Sequence, residues 1–333
     1  GRLKAHMNRV DHNISISPVA ALVERARAAQ RQYESWSQAQ VDMAVTAAGW
    51  AIIEPARNRE LAELAVADTG IGNVEDKVRK NHRKTLGLLR DLKGAKSVGV
   101  VAEYPELGLV EIARPVGVVC AVTPSTNPAA TPANKIINAL KCRNAVIVAP
   151  SPKGWRTAEA LIAQIHAQFD RIGAPQDLVQ VLPHPVGKAA TLELMRQCDL
   201  VVATGSQANV RAAYASGTPA FGVGAGNVAG IVDETADVAL AADRVVLSKT
   251  SSENSLVLVD AIRAPMVAAL EARGAVLLNA AQKATLQALM WPDGKLSPAV
   301  IGQSATVIAR KAGFDDIAAR APRILMVEED GVG

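Results

Sequence analysis

Aromatic side chains are scarce: Trp, Tyr and Phe number 4, 3 and 3 in 333 residues, about 3% together. So few rings exclude the stacking platforms on which single-stranded nucleic acid is bound. The densest basic run, residues 77–84 (KVRKNHRK), has no ring among its cations and reads as a solvated helix face. No nucleic-acid partner is therefore expected, although the net charge is +4. Cysteine is equally sparse. Cys120, Cys142 and Cys198 stand far apart with no CxxC pair, which excludes a disulfide framework and a structural zinc site. Cys120 and Cys142 fall in or beside apolar segments and read as inert core thiols. The five histidines form no HExxH pair and no Ser-His-Asp set, so no metal site and no hydrolase triad is expected. No apolar run reaches the length of a membrane span and no signal peptide is seen, so the expected compartment is the cytoplasm.

Ala and Val fill the place that rings leave, and hydrophobic residues reach 49% against 20% charged. The length suffices for two domains with buried cores. Residues 1–7 (GRLKAHM) read as a cloning remnant, residues 8–245 as N-terminal helices with a nucleotide-binding domain, and residues 246–333 as part of a second domain. The first hundred residues carry helical periodicity, with Ser17-Pro18 as the expected cap and first turn of the first helix. Short apolar runs then alternate with helical stretches: 116–122 (VGVVCAV), 145–149, 178–182, 200–203 and 229–232 are the expected strands. This rhythm predicts an α/β fold with a doubly wound, Rossmann-like parallel sheet, followed by an incomplete α/β domain.

In such a sheet ligands bind beyond the carboxyl ends of the strands. Three loops fall there: Thr123, Pro124 and Ser125 after the first strand, Pro150, Ser151 and Lys153 after the second, and Thr204, Gly205 and Ser206 after the fourth. Their small side chains and backbone N–H groups suit a phosphate or a nicotinamide. Gly222 and Gly224 lie in a glycine-rich stretch, residues 222–227 (GVGAGN), which is either a further cofactor loop or only a tight strand connection. His166 reads as a surface residue and His184 as a loop residue between prolines.

Residues 67–82 (ADTGIGNVEDKVRKNH), 114–128 (RPVGVVCAVTPSTNP), 139–153 (ALKCRNAVIVAPSPK) and 203–237 resemble the acylating aldehyde dehydrogenases. The resemblance implies oxidation of an aldehyde by NAD or NADP, with coenzyme A as co-substrate, through a cysteine thioester. It implies a homo-oligomer, a dimer or tetramer. Asn127 is then the candidate oxyanion donor, although hydrolytic relatives carry their asparagine where Thr126 stands, and Asn127 could equally cap a helix. Hydrolytic relatives keep a water-activating glutamate where Gly222 falls, so its absence favours transfer to a thiol. Their ribose-binding lysine and glutamate correspond to Ala149 and Pro152, which leaves NADP as open as NAD. The flanks SKT and SSENSLVLVD are most similar to sulfoacetaldehyde and succinate-semialdehyde enzymes, implying a small anionic aldehyde. The nucleophilic cysteine that the family places between those flanks is absent between Thr250 and Ser251, and the family's chain extends beyond the equivalent of Gly333. Either this sequence omits a loop and a C-terminal part, or the protein is a non-catalytic nucleotide binder. A hydrolytic enzyme yielding a free acid is the further alternative. If Thr250 and Ser251 are bonded, their Cα atoms lie about 3.8 Å apart.

Overall fold

The computed structural model describes residues 13–224, 226, 228–248 and 253–331. The chain forms two compact units, Gly1–Ala225 and Gly226–Gly333. In the first, α1 (Asn13–Tyr33) carries Pro18 within it, so the helix starts earlier than the expected Ser17-Pro18 cap. A proline removes a single ladder hydrogen bond, and the helix continues because Val19, Leu22, Val23 and Ala26 bury a common face. Ser37 caps α2 (Gln38–Ile53) in a reciprocal pairing with Gln40. Pro55 opens α3 (Pro55–Thr69), which closes on Gly70 at φ 64°. Asn73 caps α4 (Val74–Leu92) by accepting the Asp76 N–H. Strands β1 (Gly99–Tyr104) and β2 (Leu109–Ala113) form an antiparallel ribbon.

The parallel sheet follows. Its strands are β3 (Val118–Thr123), β4 (Ala145–Pro150), β5 (Val179–Val181), β6 (Leu200–Thr204) and β7 (Ala220–Val223), in the order β5-β4-β3-β6-β7. The crossovers are α5 (Ala130–Lys141), α6 (Trp155–Ile172), α7 (Lys188–Gln197) and α8 (Gln207–Tyr214). Every residue of β3 and β4 is buried, the condition under which a parallel strand reads as an unbroken apolar run. From β3 the chain winds outward to β4 and β5, then returns to β6 on the other side of β3. The carboxyl ends of β3 and β6 therefore mark the point at which the winding reverses, where a doubly wound sheet opens a crevice.

The second unit contains β8 (Val228–Val232), α9 (Val238–Ser248), β9 (Glu253–Leu258), α10 (Asp260–Glu271), β10 (Ala275–Leu277), α11 (Ala280–Met290), α12 (Ala305–Lys311), α13 (Asp315–Ala319) and β11 (Ile324–Met326). Strands β8 and β9 pair in parallel, as do β10 and β11. Val232, Val246, Ile262, Met266 and Leu270 share one core here. One expectation changes. The fifth strand of the large sheet is β7, not residues 229–232: β7 is a short edge strand that exposes Phe221 and Val223, so it lacks the buried-strand pattern. The boundary between the compact units lies at 225/226, and β8 is tied by its ladder to β9 across the intervening helix. Among the described residues no helix is long and apolar enough to cross a membrane.

Candidate functional site

The ends of β3 and β4 are level: Thr123 pairs with Pro150, and the Ser151 N–H donates to the Thr123 carbonyl at 3.0 Å. On the other side Thr204 pairs with Val223, and the Gly205 N–H donates to the Val223 carbonyl at 3.2 Å. The loops that follow meet. A Cβ placed on Gly154 would stand 2.9 Å from Pro128 Cβ and 3.3 Å from Ser151 Oγ, so glycine lets the loop after β4 lie against the loop after β3. A Cβ on Gly205 would stand 3.9 Å from Pro124 Cβ, which brings the loop after β6 to the same place. The sequence-predicted residues 123–125, 150–153 and 204–206 are thus gathered at one edge of the sheet.

Two hydroxyls at that edge have no partner among the described residues. Thr123 is 2% exposed, and both its Oγ1 and Ser151 Oγ are buried without a hydrogen bond. A buried polar group left unpaired costs about 1–3 kcal/mol, so two at the mouth of a nucleotide-type crevice suit a polar ligand that completes them. These residues fit a dinucleotide. Lys153 is exposed beside them. Ser206 instead uses its hydroxyl to cap α8, accepting the Asn209 N–H at 3.3 Å.

Gly222 is held by a different constraint. Its N–H donates to the Tyr214 hydroxyl at 3.0 Å, and a Cβ would lie 2.6 Å from Val210 Cγ1 and 2.9 Å from Tyr214 Cε2. No carboxylate side chain fits there unless Tyr214 and Val210 move. A Cβ on Gly224 would meet only the end of the Gln207 side chain, at 2.9 Å. Ala225 and Asn227 of the glycine-rich stretch, and the Thr250–Ser251 junction, lie outside the described residues.

Asn127 does not cap a helix. Helix α5 has no side-chain cap, and Asn127 offers its carbonyl, not its side chain, to the Thr131 N–H at 3.2 Å. Most of the basic run is the solvated face expected, with Arg79, Lys80, His82, Arg83 and Lys84 exposed, but two of its members turn inward: Lys77 is 8% and Asn81 4% exposed. Lys77 Nζ donates to the Thr126 carbonyl at 3.0 Å, and burial lowers its pKa, helped by the charge of Lys80. Asn81 Nδ2 donates to Asn58 Oδ1 at 3.0 Å. The available signal was spacing, since Lys77, Asn81 and Thr85 fall on one helical stripe. Lys135 on α5 was missed as well; burial pushes its amine down to about 8, opposed by Cys120. Cys120 and Cys198 are buried, whereas Cys142, at the end of α5, is exposed and is not a core thiol. His166, half-buried at the surface of α6, is tied to the Val179 carbonyl at 2.7 Å. His184 packs on Trp155, ring centroids 5.3 Å apart. Among the described residues no group of three or more His, Cys, Asp or Glu could hold a metal ion.

A sheet reversed at β3/β6 with orphaned hydroxyls at its mouth defines a nucleotide-binding α/β fold, and comparison with known proteins narrows it. Residues 12–254 match the aldehyde dehydrogenase family. An acylating sulfoacetaldehyde dehydrogenase of Cupriavidus necator is 66% identical over 95% of this chain and 65% of its own. An acetylating aldehyde dehydrogenase from Geobacillus thermoglucosidasius superposes with a TM-score of 0.91 at 35% identity, over 98% of this chain and 73% of that one. A Rhodopseudomonas palustris propionaldehyde dehydrogenase, solved with bound CoA and an acylated cysteine, gives 0.82 at 27% identity over 93% and 72%. The chain belongs to the aldehyde dehydrogenase family, in its acylating branch. It spans only part of the length of the curated relatives it matches, 65% of the Cupriavidus protein and 34% of a bifunctional aldehyde-alcohol dehydrogenase of Escherichia coli.

Proposed function

We propose that this chain binds NAD(P) beyond β3 and β6 and supplies the oxyanion donor of an acylating aldehyde dehydrogenase, which oxidises a short anionic aldehyde and passes the acyl group to CoA. The observation that carries this reading is the pair of buried, unpartnered hydroxyls, Thr123 Oγ1 and Ser151 Oγ, where three loops meet. When bound, the nicotinamide cofactor accepts hydride from the substrate carbon. Thr123, Pro124, Ser125, Pro150, Ser151, Thr204 and Gly205, whose loops meet at this edge, would hold it. The Asn127 side chain, free of helix capping, donates to the oxygen on which charge develops. Tyr214 packed over Gly222 keeps a water-activating carboxylate out of that position, which supports thiol transfer over hydrolysis. The loop 149–154 carries no acid, so a 2′-phosphate meets Lys153 without repulsion and both NAD and NADP are accommodated. The anionic substrate class follows the Cupriavidus relative's sulfoacetaldehyde. The ribbon β1–β2 exposes Leu109, Val110 and Ile112, in keeping with a homo-oligomer. Thiol addition is the step that the described residues do not supply, since no cysteine stands between Thr250 and Ser251.

The test measures NAD(P) reduction with sulfoacetaldehyde, with and without CoA, beside NAD(P) binding and a peptide map across Thr250–Ser251. Turnover that requires CoA is expected. Equal turnover without CoA means hydrolysis to the free acid. Binding without turnover, together with a peptide joining Thr250 directly to Ser251, leaves a nucleotide-binding protein alone.

A further inference from the structure

We infer that Lys77 is a positioning residue that sets the geometry of Asn127 through the Thr126 carbonyl; this rests on the reading of Asn127 as oxyanion donor. Lys77 lies on the first turns of α4 and is 8% exposed. Among the described residues no carboxylate pairs with it, and its side chain hydrogen-bonds from Nζ to Thr126 O at 3.0 Å. Asp76, its neighbour in sequence, is already taken by Arg79 and Asn73. A buried ammonium without a counter-ion is unfavourable to folding, and an apolar side chain of the same length would fill this place without that penalty. The charge is therefore tied to the carbonyl it holds.

That carbonyl is well chosen. The peptide unit is planar, so fixing the Thr126 C=O fixes the plane that ends at the Asn127 Cα. The Asn127 carbonyl is held in turn by the Thr131 N–H at 3.2 Å. The next residue, Pro128, is wedged against Gly154, where a Cβ would approach to 2.9 Å. The backbone of Asn127 is thus clamped before, at and after the residue, while its side chain stays uncommitted. Of the three clamps, Lys77 is the one that comes from α4, a helix joined to α3 through Asn58 and Asn81 and packed against α5. A site held on such rigid elements keeps a donor within the tolerance that catalysis demands.

The test compares Lys77→Met and Lys77→Arg in the full-length protein. Four quantities are read: melting temperature, the NAD(P) dissociation constant, kcat and KM with sulfoacetaldehyde and CoA, and amide hydrogen exchange at Ser125, Thr126 and Asn127. In K77M, kcat falls about a hundredfold, the loss typical of a misplaced group. KM and the NAD(P) dissociation constant change by less than about threefold, and exchange at 125–127 accelerates; K77R recovers most of the loss. Wild-type exchange at 125–127 in K77M overturns the proposal, whether kcat is kept or is lost together with NAD(P) binding. If the wild-type protein shows no turnover, the functional reading fails while the exchange measurement still decides the role of Lys77. Should K77M not fold, Lys77→Leu, which likewise lacks a donor, is read by the same exchange experiment, and wild-type exchange there overturns the proposal equally.

Discussion

Helix α6 turns Ala158, Leu161, Ile162, Ile165 and Phe169 inward, whereas α4 turns Lys77, Asn81 and Thr85 inward. Both belong to the same unit and both pack on neighbouring helices, yet they are stabilised in different ways. Helix α6 gains from apolar area removed from water, about 25 cal/mol per Å². Helix α4 buries amide and ammonium groups and meets their cost with directed hydrogen bonds, Asn81 to Asn58, Asn58 to the Val78 carbonyl, and Lys77 to the Thr126 carbonyl. A stripe of methyl groups would hold the helix at least as firmly. The polar stripe adds direction, because it ends on the loop that carries Asn127. Departures from local folding rules of this kind gather at functional sites.

The largest effect expected from this contrast is on α6. Phe169 is fully buried, so Phe169→Ala should destabilise the unit by about 3–5 kcal/mol through lost transfer energy and the cavity left behind. A urea midpoint measurement checks it, and a loss below about 1 kcal/mol would mean that the face collapses around the gap and α6 is not stabilised as stated. On α4 the expected loss is smaller. Asn81→Ala removes the donor to Asn58 Oδ1, and one unpaired buried acceptor costs about 1–3 kcal/mol. The same midpoint assay applies. A loss as large as that of Phe169→Ala would erase the distinction between the two helices, since α4 would then depend on packing as heavily as α6.

The contrast also explains what the sequence made legible. Residues 118–122 and 145–149 announce themselves because strands covered on both faces must be apolar throughout. The proposed binding edge follows from the rule that doubly wound sheets bind at strand carboxyl ends, so the gathering of Thr123, Ser151 and Gly205 at one edge was legible from their place after apolar runs. Strand β7 was hidden because an edge strand with Phe221 exposed has no such signature. The need for glycine at 222 is set by the Tyr214 ring folding back over it, a contact that no local pattern encodes. Lys77 was read as solvated because charge in a basic run says nothing about which member faces the interior.

Strand β3 combines the two regimes, apolar along its length like the inner face of α6 and polar at its tip like α4. It differs from α4 in one respect: Asn81 has an internal partner, whereas Thr123 Oγ1 has none. The hydroxyl of Thr123 therefore contributes nothing to the folded chain by itself, and Thr123→Val, which keeps the shape, should leave stability unchanged or raise it by up to about 1 kcal/mol. If the hydroxyl exists for the cofactor, NAD(P) affinity should fall about three- to tenfold, the worth of one hydrogen bond. Calorimetric titration and a urea curve on the same sample separate the two quantities. Normal NAD(P) binding by the Thr123→Val variant would remove Thr123 from the binding edge. A variant destabilised as much as Asn81→Ala would mean that the hydroxyl belongs to the fold, and the tip of β3 would then resemble α4 in both respects.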